Sequence, residues 1–136
     1  MPLVLIAFSA LAEKPGAWLA PANARERANP VPASDEGLKR GRLLFQRHCA
    51  MCHGEKGRGD GPAARLHAQR SGLAPRNLND PQVQSALSDG EIYWKLSTGL
   101  KLDGKIVMPG FAEEITKEED RWRLVHYGRQ FGKAGG

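Results

Sequence analysis

The chain has 136 residues, 40% hydrophobic and 26% charged, with a formal net charge of +5. That is room for one ordinary domain, and the composition excludes both a disordered and a membrane-spanning protein. The basic excess is scattered through the sequence, with no helix-turn-helix, finger or RNP-like pattern beside it, so a nucleic-acid partner is not expected and acidic protein surfaces are. Two cysteines stand three positions apart, which leaves no disulfide framework to infer.

Leu3 to Ala12 is a short apolar run ending in Ala10-Leu11-Ala12, the small-x-small form of a signal-peptidase site. It is too short to cross a bilayer. Residues 1–12 are therefore expected to be an export signal, although only Met1 and Pro2 stand where a basic start belongs. Residues 13–33 hold Pro15, Pro21, Pro30 and Pro32, which should neither sustain a helix nor pair as a central strand. An extended leader over the domain is expected, with Trp18 placed to pin it.

Ser34 reads as an N-cap followed by Asp35 and Glu36 in the first turn, and Leu38, Gly41, Phe45 and Cys49 continue at helical spacing. The long Gly- and Pro-rich stretch from Gly54 to about Asp80 reads as loop, with weak helical character near Ala63 to Gln69. Ser88 with Glu91 forms a capping box that opens a short helix over Asp89 to Thr98. Thr116 with Glu119 repeats the box, and Trp122, Leu124, Val125, Tyr127 and Phe131 give the last helix its apolar face, with Gly128 interrupting it. No strand pattern competes, so the chain is expected to be all-α, one domain over residues 34–132 with a tail at 133–136.

Cys49-Ala50-Met51-Cys52-His53 is the strongest chemical signal, because C-x-x-C-H at a helix end suits covalent attachment of haem. Thiols three apart on a helix share a face and can bond the two vinyl groups on one porphyrin edge, while His53 turns its imidazole to the iron. A thioredoxin-like pair would need a βαβ setting, and a zinc site would need a second ligand pair; neither accompanies these cysteines. Cofactor attachment of this kind also requires export.

Met108, followed by Pro109 and fifty-five residues beyond His53, is the expected sixth ligand. Its thioether is soft and favours reduced iron, and Pro109 stiffens its loop. Met51 lies between the cysteines and cannot reach the other face. His67, His48 and His126 are the rivals, His67 foremost because it lies in the loop. The Gly54 to Pro62 run lacks the G-K-[ST] ending of a phosphate loop and reads as a tight turn passing the haem edge.

On these residues the sequence resembles the class I c-type cytochromes of the small bacterial monohaem kind. The resemblance runs from about Asn29 to Phe131 and rests on Cys49 to His53, the run Gly57 to Pro62, Met108-Pro109, and Trp122 to Tyr127. It implies a cytochrome c fold of three main helices and loops wrapped around one haem. It implies that the Pro62 carbonyl accepts a hydrogen bond from the His53 ring, and that Gly41 and Phe45 cross the last helix against Leu124 and Tyr127. Tyr93 and Trp94 are implied to be the aromatics on the helix beside the haem, where either could bond a propionate or fill the core, and Arg76 and Asn77 to lie near its propionates. Gly128 departs from the family's large apolar residue at that place.

A periplasmic single-electron carrier, monomeric or part of a complex, follows as the expected function. Lys56, Arg58, Lys101 and Lys105 are expected to steer acidic redox partners to the haem edge. A fixed subunit of a periplasmic oxidoreductase and a haem enzyme or ligand sensor are the alternatives; the last requires a vacant sixth position.

Overall fold

In the computed structural model, which describes residues 18–133, the leader does contain a helical turn. Pro21 precedes it with the φ suited to a helix start, and α1 (Ala22–Arg25) is a single turn that closes before Pro30. The prolines thus bracket a helix instead of forbidding one, which corrects the expected wholly extended leader. The expected signal run and the first part of the leader, residues 1–17, lie outside the described residues, as do residues 134–136.

The Ser34 hydroxyl accepts from the Gly37 amide at 3.0 Å and starts α2 (Asp35–His48), satisfying one of the amides orphaned at a helix start. Cys49 ends it, and α3 (Ala50–His53) follows at once. Within the expected loop, α4 (Ala64–Ser71) ends at Gly72 in the left-handed region. Asp80 caps α5 (Pro81–Ala86). Ser88 accepts from the Glu91 amide at 3.2 Å and starts α6 (Asp89–Thr98) as the capping box predicts.

The chain then forms a hairpin, β1 (Leu100–Leu102) antiparallel to β2 (Lys105–Met108), with a register irregularity between Leu100 and Lys101. Asp103 and Gly104 turn it with positive φ at both positions (50° and 74°), the geometry of a two-residue hairpin loop. The fold is mostly helical, as expected, but not purely so. Asp-Gly between short apolar segments is the signal for this hairpin.

The last helix, α7 (Glu118–Lys133), starts with the Lys117 carbonyl accepting from the Asp120 and Arg121 amides. Lys117, not Thr116, therefore holds the cap position. The buried Arg121 guanidinium occupies the preceding turn, donating to the carbonyls of Ile115 at 2.6 Å and Thr116 at 3.4 Å.

The core lies where α2 crosses α7, with Leu44 and Phe45 facing Leu124, Val125 and Phe131. The Phe45 ring centroid is 5.5 Å from that of Tyr127 and 5.0 Å from that of Phe131. Asp120 ties the two helices electrostatically, accepting from Arg40 at 2.9 Å and from Arg123 at 2.8 Å. The leader lies across α6 and α7: Ser88 Oγ donates to the Arg25 carbonyl at 2.7 Å, and Asn29 Nδ2 to that of Trp122 at 3.1 Å. His126 Nε2 donates to the Val31 carbonyl at 2.6 Å.

Gly128 does not break α7, and a Cβ built there meets nothing within 4 Å. Its cost is conformational entropy without a packing return. Gly128→Ala is expected to stabilise the protein by about 0.5–1 kcal/mol in a urea titration.

Candidate cofactor site

The site is built on the α2–α3 junction. The Cys49 carbonyl accepts from the amides of Cys52 at 3.2 Å and His53 at 2.9 Å, so the backbone keeps turning and carries both cysteines and the histidine on one short coil. Cys49 packs against the core, and burial, with Cys52 adding to it, pushes its thiol up to about 12. Burial also raises the Cys52 thiol. Both shifts run against what a nucleophilic dithiol needs, and both describe the apolar setting in which an uncharged thioether sits without cost.

The glycine run returns onto this coil. The Gly59 amide donates to the His53 carbonyl at 2.8 Å, and the Gly61 amide to that of Cys52 at 3.0 Å. A Cβ on Gly61 would lie 2.3 Å from the Met51 carbonyl oxygen. The tight turn therefore serves backbone packed on backbone, covering carbonyls that the end of α3 leaves open.

Further along the same loop the chain comes back under the imidazole, and His53 Nδ1 donates to the carbonyl of Arg76 at 3.1 Å. This corrects the role implied for Pro62. The segment before Pro62 is bound to the backbone of α3, leaving Pro62 exposed beside Met51 and Gly54 on the surface. Burial lowers the His53 pKa, the Arg76 carbonyl opposes that shift, and His67 adds to it. The result is a neutral imidazole whose Nδ1 is engaged and whose Nε2 lone pair is available.

His53 and Cys52 open onto a cleft of about 490 Å³, within the range of cofactor sites. Leu73 to Arg76, Val83, Ala86 and Leu87 line it, together with Trp18, Lys95 and Leu100 and, from the hairpin, Val107, Met108 and Pro109. His67 also lines it, and its Nε2 donates to the Val107 carbonyl, adjacent to Met108. Of the rival histidines, His126 is bound to the leader and the His48 ring lies 5.7 Å from Phe111; neither lines the cleft.

Tyr93 does not belong to the cleft either. It is buried against α7, its ring stacked on Trp122 at 4.0 Å and its hydroxyl accepting from Arg121 Nη2 at 2.9 Å. Trp94 stands behind Trp18, with ring centroids 6.4 Å apart, and is not itself a lining residue. Arg76, expected near the propionates, lines the cleft. Lys95, which the sequence did not single out, lines it too. Among the described residues no group of three His, Cys, Asp or Glu side chains comes together as a metal site, and no helix is long and apolar enough to cross a membrane.

Residues 36–127 match the family model described as cytochrome c oxidase, cbb3-type, subunit III. The chain belongs to that cytochrome c family. It is a class I c-type cytochrome with the fold of that class, and its cofactor is haem c, for which Cys49 and Cys52 are the thioether sulfurs. The residues present fit the group: two uncharged thiols on one turn, a neutral imidazole beside them, and a largely apolar cleft carrying two cationic side chains.

Among solved structures, the cytochrome is similar to a chain of the Kuenenia stuttgartiensis reducing HAO-like protein complex Kustc0457/Kustc0458, with 25% identity and a TM-score of 0.57. The match covers 77% of this chain and 49% of that one, so the cytochrome spans about half the length of that relative. A second similar structure is the KustC0563 c-type cytochrome, with 25% identity, a TM-score of 0.49, and coverage of 67% of this chain and 95% of that one. No curated protein matches the chain.

Proposed function

We propose that this cytochrome is an exported single-electron carrier of a respiratory or dehydrogenase-linked chain, with His53 and Met108 as the axial ligands of its haem. The observation that carries this reading is that two side chains fifty-five positions apart, one on α3 and one on β2, line the same cleft. The haem iron supplies a one-electron couple. The protein's own residues hold the ligands still: the Arg76 carbonyl orients the His53 ring, His67 grips the strand at Val107, and Pro109 stiffens the chain after Met108. With both positions taken by the protein, no site on the metal is left for oxygen or peroxide, which favours a carrier over an enzyme or sensor. Residues 34–132 form the cytochrome unit in this reading, residues 1–12 the export signal, and residues 13–33 a leader, whose described part, from Trp18 on, is held against α6 and α7.

The test is the ferric optical spectrum together with carbon monoxide binding. A weak band at the near-infrared edge and slow reaction of the reduced protein are expected. Absence of the band with prompt carbon monoxide binding would replace the carrier by a ligand-binding protein. Lys56, Arg58, Lys101 and Lys105 are all exposed, which supports docking to acidic partners. Electron exchange with the native partner is expected to slow as ionic strength rises, measured by stopped flow from low to physiological salt; rates that ignore salt would remove these cations from the docking step. A fixed subunit is the second reading, favoured by the likeness to a chain of a multi-protein complex. Gel filtration of a native extract separates the two by the size at which the cytochrome elutes.

A further inference from the structure

Lys95 is in an unusual position for a lysine. Its side chain is 14% exposed and its ammonium lies 3.3 Å from the carboxylate of Glu91, one turn back on α6 and 9% exposed. Lysine and glutamate are rarely buried to this degree unless paired. The ammonium also sits 4.9 Å from the centroid of the Trp18 ring, so the leader covers one side of it. Lys95 lines the cleft and Glu91 does not, which gives the pair a direction, its cation toward the cofactor site and its anion away from it. An ammonium has three N–H groups, and one carboxylate and one ring face do not use them all. In a half-dry setting an unused charged donor is costly. Its companions in the cleft are one further cation, Arg76, and one acid, Asp80, amid mostly apolar lining.

We propose that Lys95, wedged between Glu91 and Trp18, is a carboxylate-binding residue of the haem cleft, and that the Lys95–Glu91 pair sets the reduction potential. This rests on the reading that the haem occupies the cleft between His53 and Met108. A porphyrin with two carboxylates is the amphipathic occupant suited to an apolar cleft that carries the largely buried Lys95 in its wall and the exposed Arg76 at its edge. Losing an electron leaves one more positive charge at the iron. A fixed cation nearby opposes that loss, and a fixed anion favours it, with less screening than at the surface.

The two halves of the pair should therefore shift the potential in opposite directions. In the haem-loaded protein, Lys95→Met leaves the Glu91 anion uncompensated and is expected to lower the potential. Glu91→Gln leaves the cation and is expected to raise it. Lys95→Arg keeps the charge and should stay near the native value. Spectroelectrochemical titration reads all three, with the covalent haem mass as control. A merely structural pair would move both variants the same way or neither, and either result overturns the proposal. If Lys95→Met fails to fold, Glu91→Gln decides alone: a rise supports the assignment, and a fall or no change removes it. Met108→Ala separates this failure from that of the underlying reading. An altered spectrum there with unmoved potentials in the pair variants sinks Lys95 alone, whereas an unaltered spectrum sinks the cleft assignment itself.

Discussion

Met108→Ala is expected to abolish the weak ferric band at the near-infrared edge completely, to lower the reduction potential, and to let the reduced protein bind carbon monoxide promptly. The band requires a thioether sulfur on ferric iron, and the other described methionine, Met51, lies on α3 between the cysteines, exposed at the surface. A soft sulfur ligand favours the reduced metal, so its loss moves the couple toward the oxidised state. The side chain is only half-buried, so the fold should survive with at most part of the usual large-to-small core penalty. Retention of the band would place the sixth ligand elsewhere. Absence of the band from the native protein would instead make His67 the side chain to replace next, since it is the remaining histidine in the cleft besides His53.

Gly41→Ala is expected to destabilise the protein by about 2–3 kcal/mol, the cost of overpacking a helix crossing. A Cβ at Gly41 would stand 2.6 Å from the Arg123 carbonyl oxygen and 2.8 Å from Tyr127 Cβ. The first of these is backbone in the middle of α7, so the two helices must separate to admit it. Separation loosens Phe45 from Tyr127 and Phe131 and strains the Arg40–Asp120 bond. Against a total stability of roughly 5–15 kcal/mol for a domain, this is a large fraction. A urea midpoint that falls at unchanged slope would carry the argument. A midpoint equal to the native value would show that the crossing has room, and that Gly41 is not what sets it. Gly128→Ala, on the face of α7 with open space, is the matched control of opposite sign.

The elements whose cause is local were legible in the residues themselves. Ser34 and Ser88 cap α2 and α6 because a hydroxyl reaches an amide three residues on, and that relation is written in the sequence. The C-x-x-C-H unit identifies its cofactor for the same reason, since five consecutive residues hold both sulfurs and a nitrogen. Helical spacing put Gly41 and Phe45 on the first helix, the family resemblance put them on the crossing, and the packing agrees. The Asp103-Gly104 hairpin was also written locally, but its strands are too short to show an alternating pattern.

What depends on how a long loop returns was decided only by the tertiary structure. Any of several carbonyls between Gly54 and Asp80 can meet the His53 ring, and a backbone carbonyl carries no residue-specific mark, so Arg76 could not be told from Pro62. α6 is buried on more than one side, between the leader, α7 and the cleft, so residue type did not say which side each position faces. Tyr93 accordingly turned into the core against Trp122, while Lys95, charged and unremarkable in the sequence, became part of the cleft wall because Glu91 and Trp18 hold it there.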